Sequence, residues 1–223
     1  MTTPQKLVSE FVGTALLLAA VVGSGIMGES LAGGNVAIAL LANTVATGAV
    51  LVALILVFGP ISGAHFNPAV TLADAWRGGL SLRQVPGYLA AQVSGAVTGV
   101  IVAHMMFGQA WVTASSKARS GMPQVFSEFV ATFGLLAVIL GCARQRPSAV
   151  PFAVGAYITA AYWFTASTSF ANPAVTIARS ITDTFAGIRP VDVPAFVLAQ
   201  LLGAIVATLL FRWLLRPSTE DER

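Results

Sequence analysis

The sequence predicts an all-α membrane protein with six spans and two shorter re-entrant helices, folded as an inverted repeat. Three observations carry this expectation. Of 223 residues, 56% are hydrophobic and only 9% charged, whereas soluble domains carry about 25% charged residues. With a mean hydropathy of +0.81, the chain has too little charge to cover a water-facing surface. The apolar runs are long and continuous, which fits helices better than the ~10-residue alternating segments of a membrane barrel. Finally, the pentapeptide Asn-Pro-Ala-Val-Thr occurs twice, at Asn67–Thr71 and at Asn172–Thr176.

Six runs approach the ~20 residues that a crossing helix needs: roughly 7–27, 36–58, 86–107, 125–143, 150–169 and 192–213. The first begins just after Lys6 and carries Glu10. A signal-peptide core avoids such a charge, so this run reads as a retained span. Gly28, Gly33 and Gly34 separate it from the second run. Each Asn-Pro-Ala opens a short run, about 67–77 and 172–181. At 1.5 Å per residue these reach only halfway across. Asn is a favoured N-cap, and Pro suits the first helical position, so each motif reads as a helix start. Gly78 and Gly79 end the first half-helix, and Pro86 opens the third span. A polar stretch, 113–124, divides the chain. Pro147 and Pro151 mark the next turn, Pro190 and Pro194 precede the last span, and the charged tail after Pro217 reads as frayed.

The halves are copies. Glu10-Phe11-Val12 matches Glu128-Phe129-Val130, and Ala91-Gln92 with Gly95-Ala96 matches Ala199-Gln200 with Gly203-Ala204. The repeats cover approximately 1–112 and 120–217 of a single domain, 1–223. Three spans per half is an odd number, so the second copy lies upside down, an arrangement common in transport proteins. With both termini inside, Lys6, Arg77, Arg83, Arg144, Arg146, Arg212, Arg216 and Arg223 fall on the inner face. Lys117, Arg119, Arg179 and Arg189 fall on the outer one. The positive-inside rule then places both termini in the cytoplasm.

Several functions are disfavoured. The pI of about 9.5 reflects only 12 Lys+Arg against 9 Asp+Glu. That scattered excess fits membrane topology, not a nucleic-acid partner. One cysteine, Cys142, makes neither an intrachain disulfide nor a Cys-cluster metal site. No His/Asp/Glu cluster has metal-ligand spacing, and no nucleophilic arrangement is recognisable, so neither an enzyme nor a cofactor is expected.

Inversion brings the two Asn-Pro-Ala starts face to face at mid-depth, where re-entrant backbone must be buried or line a watery cavity. Each helix start carries about half a positive charge. Two of them repel cations, and the Asn67 and Asn172 amides offer donors to a passing solute, a device suited to neutral solutes. Glu10 and Glu128 read either as proton-relay groups or as anchors for re-entrant backbone N–H groups. Their duplication favours the anchor. His65 reads as a loop anchor or a pH gate. His104 has no evident partner and reads as interfacial.

The stretch Ser62-Gly63-Ala64-His65-Phe66-Asn67-Pro68-Ala69-Val70-Thr71, the second motif Asn172-Pro173-Ala174, and Glu10 with Glu128 resemble the aquaporin, or major intrinsic protein, family. The resemblance spans essentially the whole chain. It implies a right-handed bundle in a bacterial inner membrane, a pore in each protomer, a homotetramer among membrane lipids, and passive transport of small neutral solutes. Family members typically carry Arg directly after the second motif; here Val175 stands there. Spacing from the motifs places the other filter positions at Thr47, Ala160 and Ser169, giving a wide filter without aromatic or charge. Arg179, one turn beyond Val175, either charges the outer vestibule, pairs with Asp183 or snorkels to headgroups. Bacterial relatives lacking the filter Arg are associated with arsenic resistance. The resemblance therefore suggests neutral metalloid hydroxides such as arsenous acid, with glycerol and water also permeant. A glycerol or water facilitator, a secondary transporter and a non-conducting junction protein are the alternatives.

Overall fold

The computed structural model describes residues 1–216, so the charged tail expected to fray after Pro217 lies outside the described residues. Eight α-helices and three short 3-10 turns make up the chain, with no strand among the described residues. The helices are α1 (Thr3–Leu31), α2 (Val36–Ser62), α3 (Pro68–Trp76), α4 (Val85–Met106), α5 (Met122–Gln145), α6 (Val150–Phe164), α7 (Pro173–Ala178) and α8 (Val193–Leu214). Five of them are long and apolar enough to cross a membrane. The fifth expected span, 150–169, is helical only to Phe164, with a 3-10 turn at Pro147–Ala149 before it. From Thr165 onward the backbone leaves the helix and descends toward Asn172, which is why this span is shorter than expected.

α1 packs chiefly on α4 and α2, and α5 on α8 and α6. The closest approaches occur at small residues. A Cβ on Gly95 would lie 2.3 Å from the Phe11 carbonyl oxygen, and one on Gly203 would lie 2.4 Å from that of Phe129. These equivalent positions let α4 and α8 press on α1 and α5 backbone to backbone. The two halves are also locked together. Ala69, Val70 and Ala73 of α3 pack with Leu135, Leu136, Ala204 and Ala207 of the second half. Ala174, Val175 and Ala178 of α7 pack with Leu18, Val21, Ala96 and Val100 of the first half. Each half-helix thus completes the apolar core of the opposite half.

The face carrying the start of α1 and the end of α8 is called the terminal face below, and the opposite one the far face. His104 is buried, not interfacial: its ring nitrogens lie 2.9 Å from the Trp111 carbonyl oxygen and 2.7 Å from Thr182 Oγ1. It ties the end of α4 to the far-face loops.

Candidate functional site: a lumen between two half-helices

Both half-helices begin in the way Asn-Pro favours. Asn67 and Asn172 have nearly identical extended backbones, φ/ψ −153/118 and −158/113. The side-chain oxygens cap their own helices, accepting from Ala69 N–H at 2.9 Å and Ala174 N–H at 3.0 Å. The amide nitrogens do more than face a solute. Asn67 Nδ2 donates to the Ala171 carbonyl at 2.8 Å, and Asn172 Nδ2 donates to the Phe66 carbonyl at 2.8 Å. One N–H of each amide therefore ties the two loops together at mid-depth, leaving only the second for the lumen.

The segments leading into these caps are strained in the same pattern. Ala64 and Phe66 have φ 49, as do Ser169 and Ala171, with Thr168 at φ 63. Left-handed backbone at non-glycine residues costs about 1–2 kcal/mol each and needs surrounding structure to hold it. The buried glutamates supply that. Glu10 accepts from the Ser62 hydroxyl (2.6 Å), the N–H groups of His65 (3.0 Å) and Phe66 (2.7 Å), and Gln92 Nε2 (2.8 Å). Glu128 accepts from the N–H groups of Phe170 (2.8 Å) and Ala171 (2.9 Å) and from Gln200 Nε2 (2.6 Å). Each glutamine also donates to the half-helix threonine, Thr71 or Thr176, at 2.8 Å. Sequence comparison of the halves paired Gln92 with Gln200 but assigned them no role. Their place is the second layer that holds each carboxylate and each half-helix in register.

A cavity of about 240 Å³ runs past both caps. Toward the terminal face it is lined by His65, Asp74 and Arg77. His65 Nδ1 lies 3.1 Å from Thr71 Oγ1, and its Nε2 faces Asp74 at 3.6 Å. Toward the far face it is lined by Thr47, Tyr162, Ser169, Val175 and Arg179. Ala160 is not among the lining residues: it is exposed on the outside of the bundle. On α6 the lumen-facing stripe is Val150, Val154, Ile158 and Tyr162, and Ala160 sits about 200° round the helix from its neighbours in that stripe. Tyr162, further along the helix, lines the cavity where Ala160 was expected, and α6 ends at Phe164. The i, i+4 stripe was available in the sequence and identifies Tyr162 without any spacing rule. An aromatic thus does line the far half of the lumen, its hydroxyl donating to Thr47 Oγ1 at 3.3 Å.

Arg179 does not pair with Asp183 and does not reach the surface. Asp183 accepts instead from Ser116 N–H (2.8 Å) and hydroxyl (2.9 Å), which hold its carboxyl below the usual range. Arg179 is 2% exposed, with its guanidinium 3.4 Å from the centre of the Phe170 ring. Arg119, from the loop before α5, approaches the same ring at 4.8 Å. It binds the Gly187 and Ser167 carbonyls, at 2.8 and 2.9 Å. The polar-stretch loop therefore packs onto the second re-entrant segment, a tie that composition alone does not reveal. No group of three or more His, Cys, Asp or Glu with metal-binding geometry occurs among the described residues.

Comparison with known proteins agrees with this architecture. The profile of the family described as Major intrinsic protein matches residues 1–151 and 143–222. Aquaglyceroporin AqpS of Rhizobium meliloti (strain 1021) is 57% identical over 214 residues, covering 96% of this chain and 91% of that protein. Probable aquaporin NIP7-1 of Arabidopsis thaliana is 32% identical, covering 92% of this chain and 74% of that protein. The X-ray structure of the aquaglyceroporin from Plasmodium falciparum superposes with a TM-score of 0.74, covering 94% of this chain and 96% of that one; at 22% identity it shares the fold. With twin capped half-helices, a cavity running past both caps and these relatives, the chain belongs to the major intrinsic protein family of multi-pass membrane channels and is not an enzyme.

Proposed function

We propose that this protein is a passive channel for small neutral solutes whose leading specific substrates are metalloid hydroxides such as arsenous acid, with glycerol and water also permeant. The observation carrying this reading is the far half of the lumen, where Val175 stands in place of a filter arginine. There, Thr47 and Tyr162 bring hydroxyls to the lining, with Ser169 beside them. Val21, Leu17 and Val175 supply apolar surface. Ser169 Oγ is buried without a partner among the described residues. Such an amphipathic passage fits a compact solute with several hydroxyls, because it replaces hydration on one side and excludes water on the other. The aquaglyceroporin name of the relative from Rhizobium meliloti supports a solute of this class. Thr47, Tyr162, Ser169 and Val175 are proposed as the filter, the Asn67-Pro68-Ala69 and Asn172-Pro173-Ala174 starts as its mid-depth partner, and Glu10, Glu128 and His65 as loop anchors. The excess of Lys and Arg at the terminal face supports cytoplasmic termini, and family membership supports a homotetramer in the cell membrane.

Flux of arsenous acid, glycerol and water into proteoliposomes tests the reading. Arsenous acid is expected to enter faster than into empty vesicles; equal entry removes the metalloid assignment. Val175→Arg is expected to lower glycerol and arsenous acid flux at least about tenfold relative to water, the effect of ~1.4 kcal/mol on a barrier. A uniform reduction for all solutes contradicts the filter assignment.

A further inference from the structure

We infer that Arg179 carries the filter guanidinium in this chain, as a hydrogen-bond donor to the oxygen of a neutral solute and as the fixed charge that turns back cations. The inference rests on the lumen proposed above. Arg179 lies one helical turn beyond Val175, and α7 gives way there to a 3-10 turn, Arg179–Ile181. Its side chain folds back to line the same cavity as Asn172, Val175, Ser169 and Tyr162.

Three features separate it from a structural arginine. First, it is fixed: Nε donates to the Ala186 carbonyl, and the guanidinium carbon lies 3.4 Å from the Phe170 ring centre, where the ring's negative face attracts it. Phe170 is itself braced by Phe196, with ring centres 5.4 Å apart, and by Arg119. Second, its charge is not neutralised by an ion pair. Among the described residues Arg179 has no carboxylate within salt-bridge distance. Asp183 is committed to Ser116, and the Glu128 oxygens accept from loop N–H groups and Gln200. Third, only Nε of the guanidinium hydrogen-bonds among the described residues, and Nη1 is buried without a partner there. A charged donor left unmet is costly, so a clamp that leaves the guanidinium short of partners makes sense where a passing solute accepts from it. Burial also strengthens its repulsion of a cation, because the effective dielectric is far below that of water. The ligand class is a neutral solute with hydroxyl oxygens that accept from the guanidinium, in a cavity also lined by Ser169 and Tyr162. Val175 stays small, which widens the passage without removing the charge.

The test measures potassium and proton leak together with glycerol and water flux in proteoliposomes holding wild type, Arg179→Met, Arg179→Lys, Phe170→Leu and, as a control, the exposed Arg83→Met. Arg179→Met is expected to raise cation leak at least about tenfold, corresponding to ~1.4 kcal/mol of barrier, and to lower the glycerol-to-water ratio. Arg179→Lys is expected to keep leak low while losing the glycerol preference, since an ammonium keeps the charge but not the planar fork. Arg83→Met is expected to match wild type. Wild-type-like leak and glycerol preference in folded Arg179→Met overturn the inference. If that variant does not fold, unchanged behaviour in both Arg179→Lys and Phe170→Leu overturns it. A wild type that passes no neutral solute overturns the lumen reading itself, which is a separate outcome.

Discussion

On the terminal side of the lumen, His65 stands two residues before Asn67 and Asp74 seven residues after it; on the far side the same two positions hold Phe170 and Arg179. The third member of each set is Tyr88 or Phe196, four residues before the matched Gln92 or Gln200. The packing is duplicated as well: His65 lies 5.5 Å from Tyr88, and Phe170 lies 5.4 Å from Phe196. Behind these residues the copies are unchanged: glutamate, glutamine, threonine, the left-handed loop and the Asn cap. The difference teaches that holding a re-entrant loop and facing a solute are separable tasks. The first is retained in both halves. The second has diverged to an acid and an imidazole at one mouth and an aromatic and a guanidinium at the other.

The largest expected effect breaks the shared part. Glu10→Ala and Glu128→Ala each strand several buried donors at once, where an unmet donor costs about 1–3 kcal/mol. Both variants should lose at least ~3 kcal/mol of stability by that rule. Glu10→Ala should lose about 1 kcal/mol more, because Glu10 serves Ser62 in addition to the loop N–H groups and a glutamine. Thermal unfolding in detergent checks both the size and the order. Equal or reversed losses would remove the extra weight given to the Ser62 bond.

A smaller effect addresses how the copies diverged in size. A Cβ on Gly13 would lie 2.0 Å from the Phe66 ring. In the second half the equivalent positions are Ala131 and Ala171, so a small loop residue accompanies the larger helix residue. Gly13→Ala should cost about 1–3 kcal/mol by overpacking in the wild-type background and close to nothing with Phe66→Ala. The double-mutant cycle therefore yields a coupling of ~1 kcal/mol or more. Additive losses would dissolve the match between the two pairs.

The scaffold was readable in the sequence because it is written twice and obeys local rules. Asn-Pro sets a cap and a first turn, and Glu10 and Glu128 stand out as charges inside apolar runs. The lumen chemistry was harder to read because it depends on where a helix stops. Family spacing pointed to Ala160, whereas the α6 stripe through Ile158 ends on Tyr162. Arg179 admitted three readings because nothing local says that Asp183 bonds Ser116 or that Phe170 offers its face. His104 was read as interfacial and Arg119 only as an outer-face charge for the same reason: their partners, Thr182 or Ser167 and Gly187, lie far along the chain. Packing between distant segments leaves no periodic mark.

The smallest effect sharpens the contrast in charge between the mouths. Lys117 lies in the loop before α5, its Nζ donating to the Phe185 carbonyl at 2.6 Å and lying 4.4 Å over that ring. Burial, reinforced by Arg119 and Arg179 and opposed by Glu29, pulls its pKa from 10.5 down to about 8. A lysine whose folded pKa is depressed binds fewer protons than in the unfolded chain between those values. Stability therefore rises with pH across about 8 to 10.5, and the cost of the charged form is fully present below that window. Because the side chain is only partly buried, solvent screening should hold the effect below about 1 kcal/mol. Thermal unfolding at pH 8 and pH 10 should show wild type gaining on Lys117→Met, which has no group to titrate there. Parallel profiles would mean that the far mouth does not crowd positive charge as its geometry implies. A gain confined to wild type would show a lysine held partly out of water beside Arg119 and Arg179, at the mouth where one copy carries a guanidinium in place of the other copy's acid.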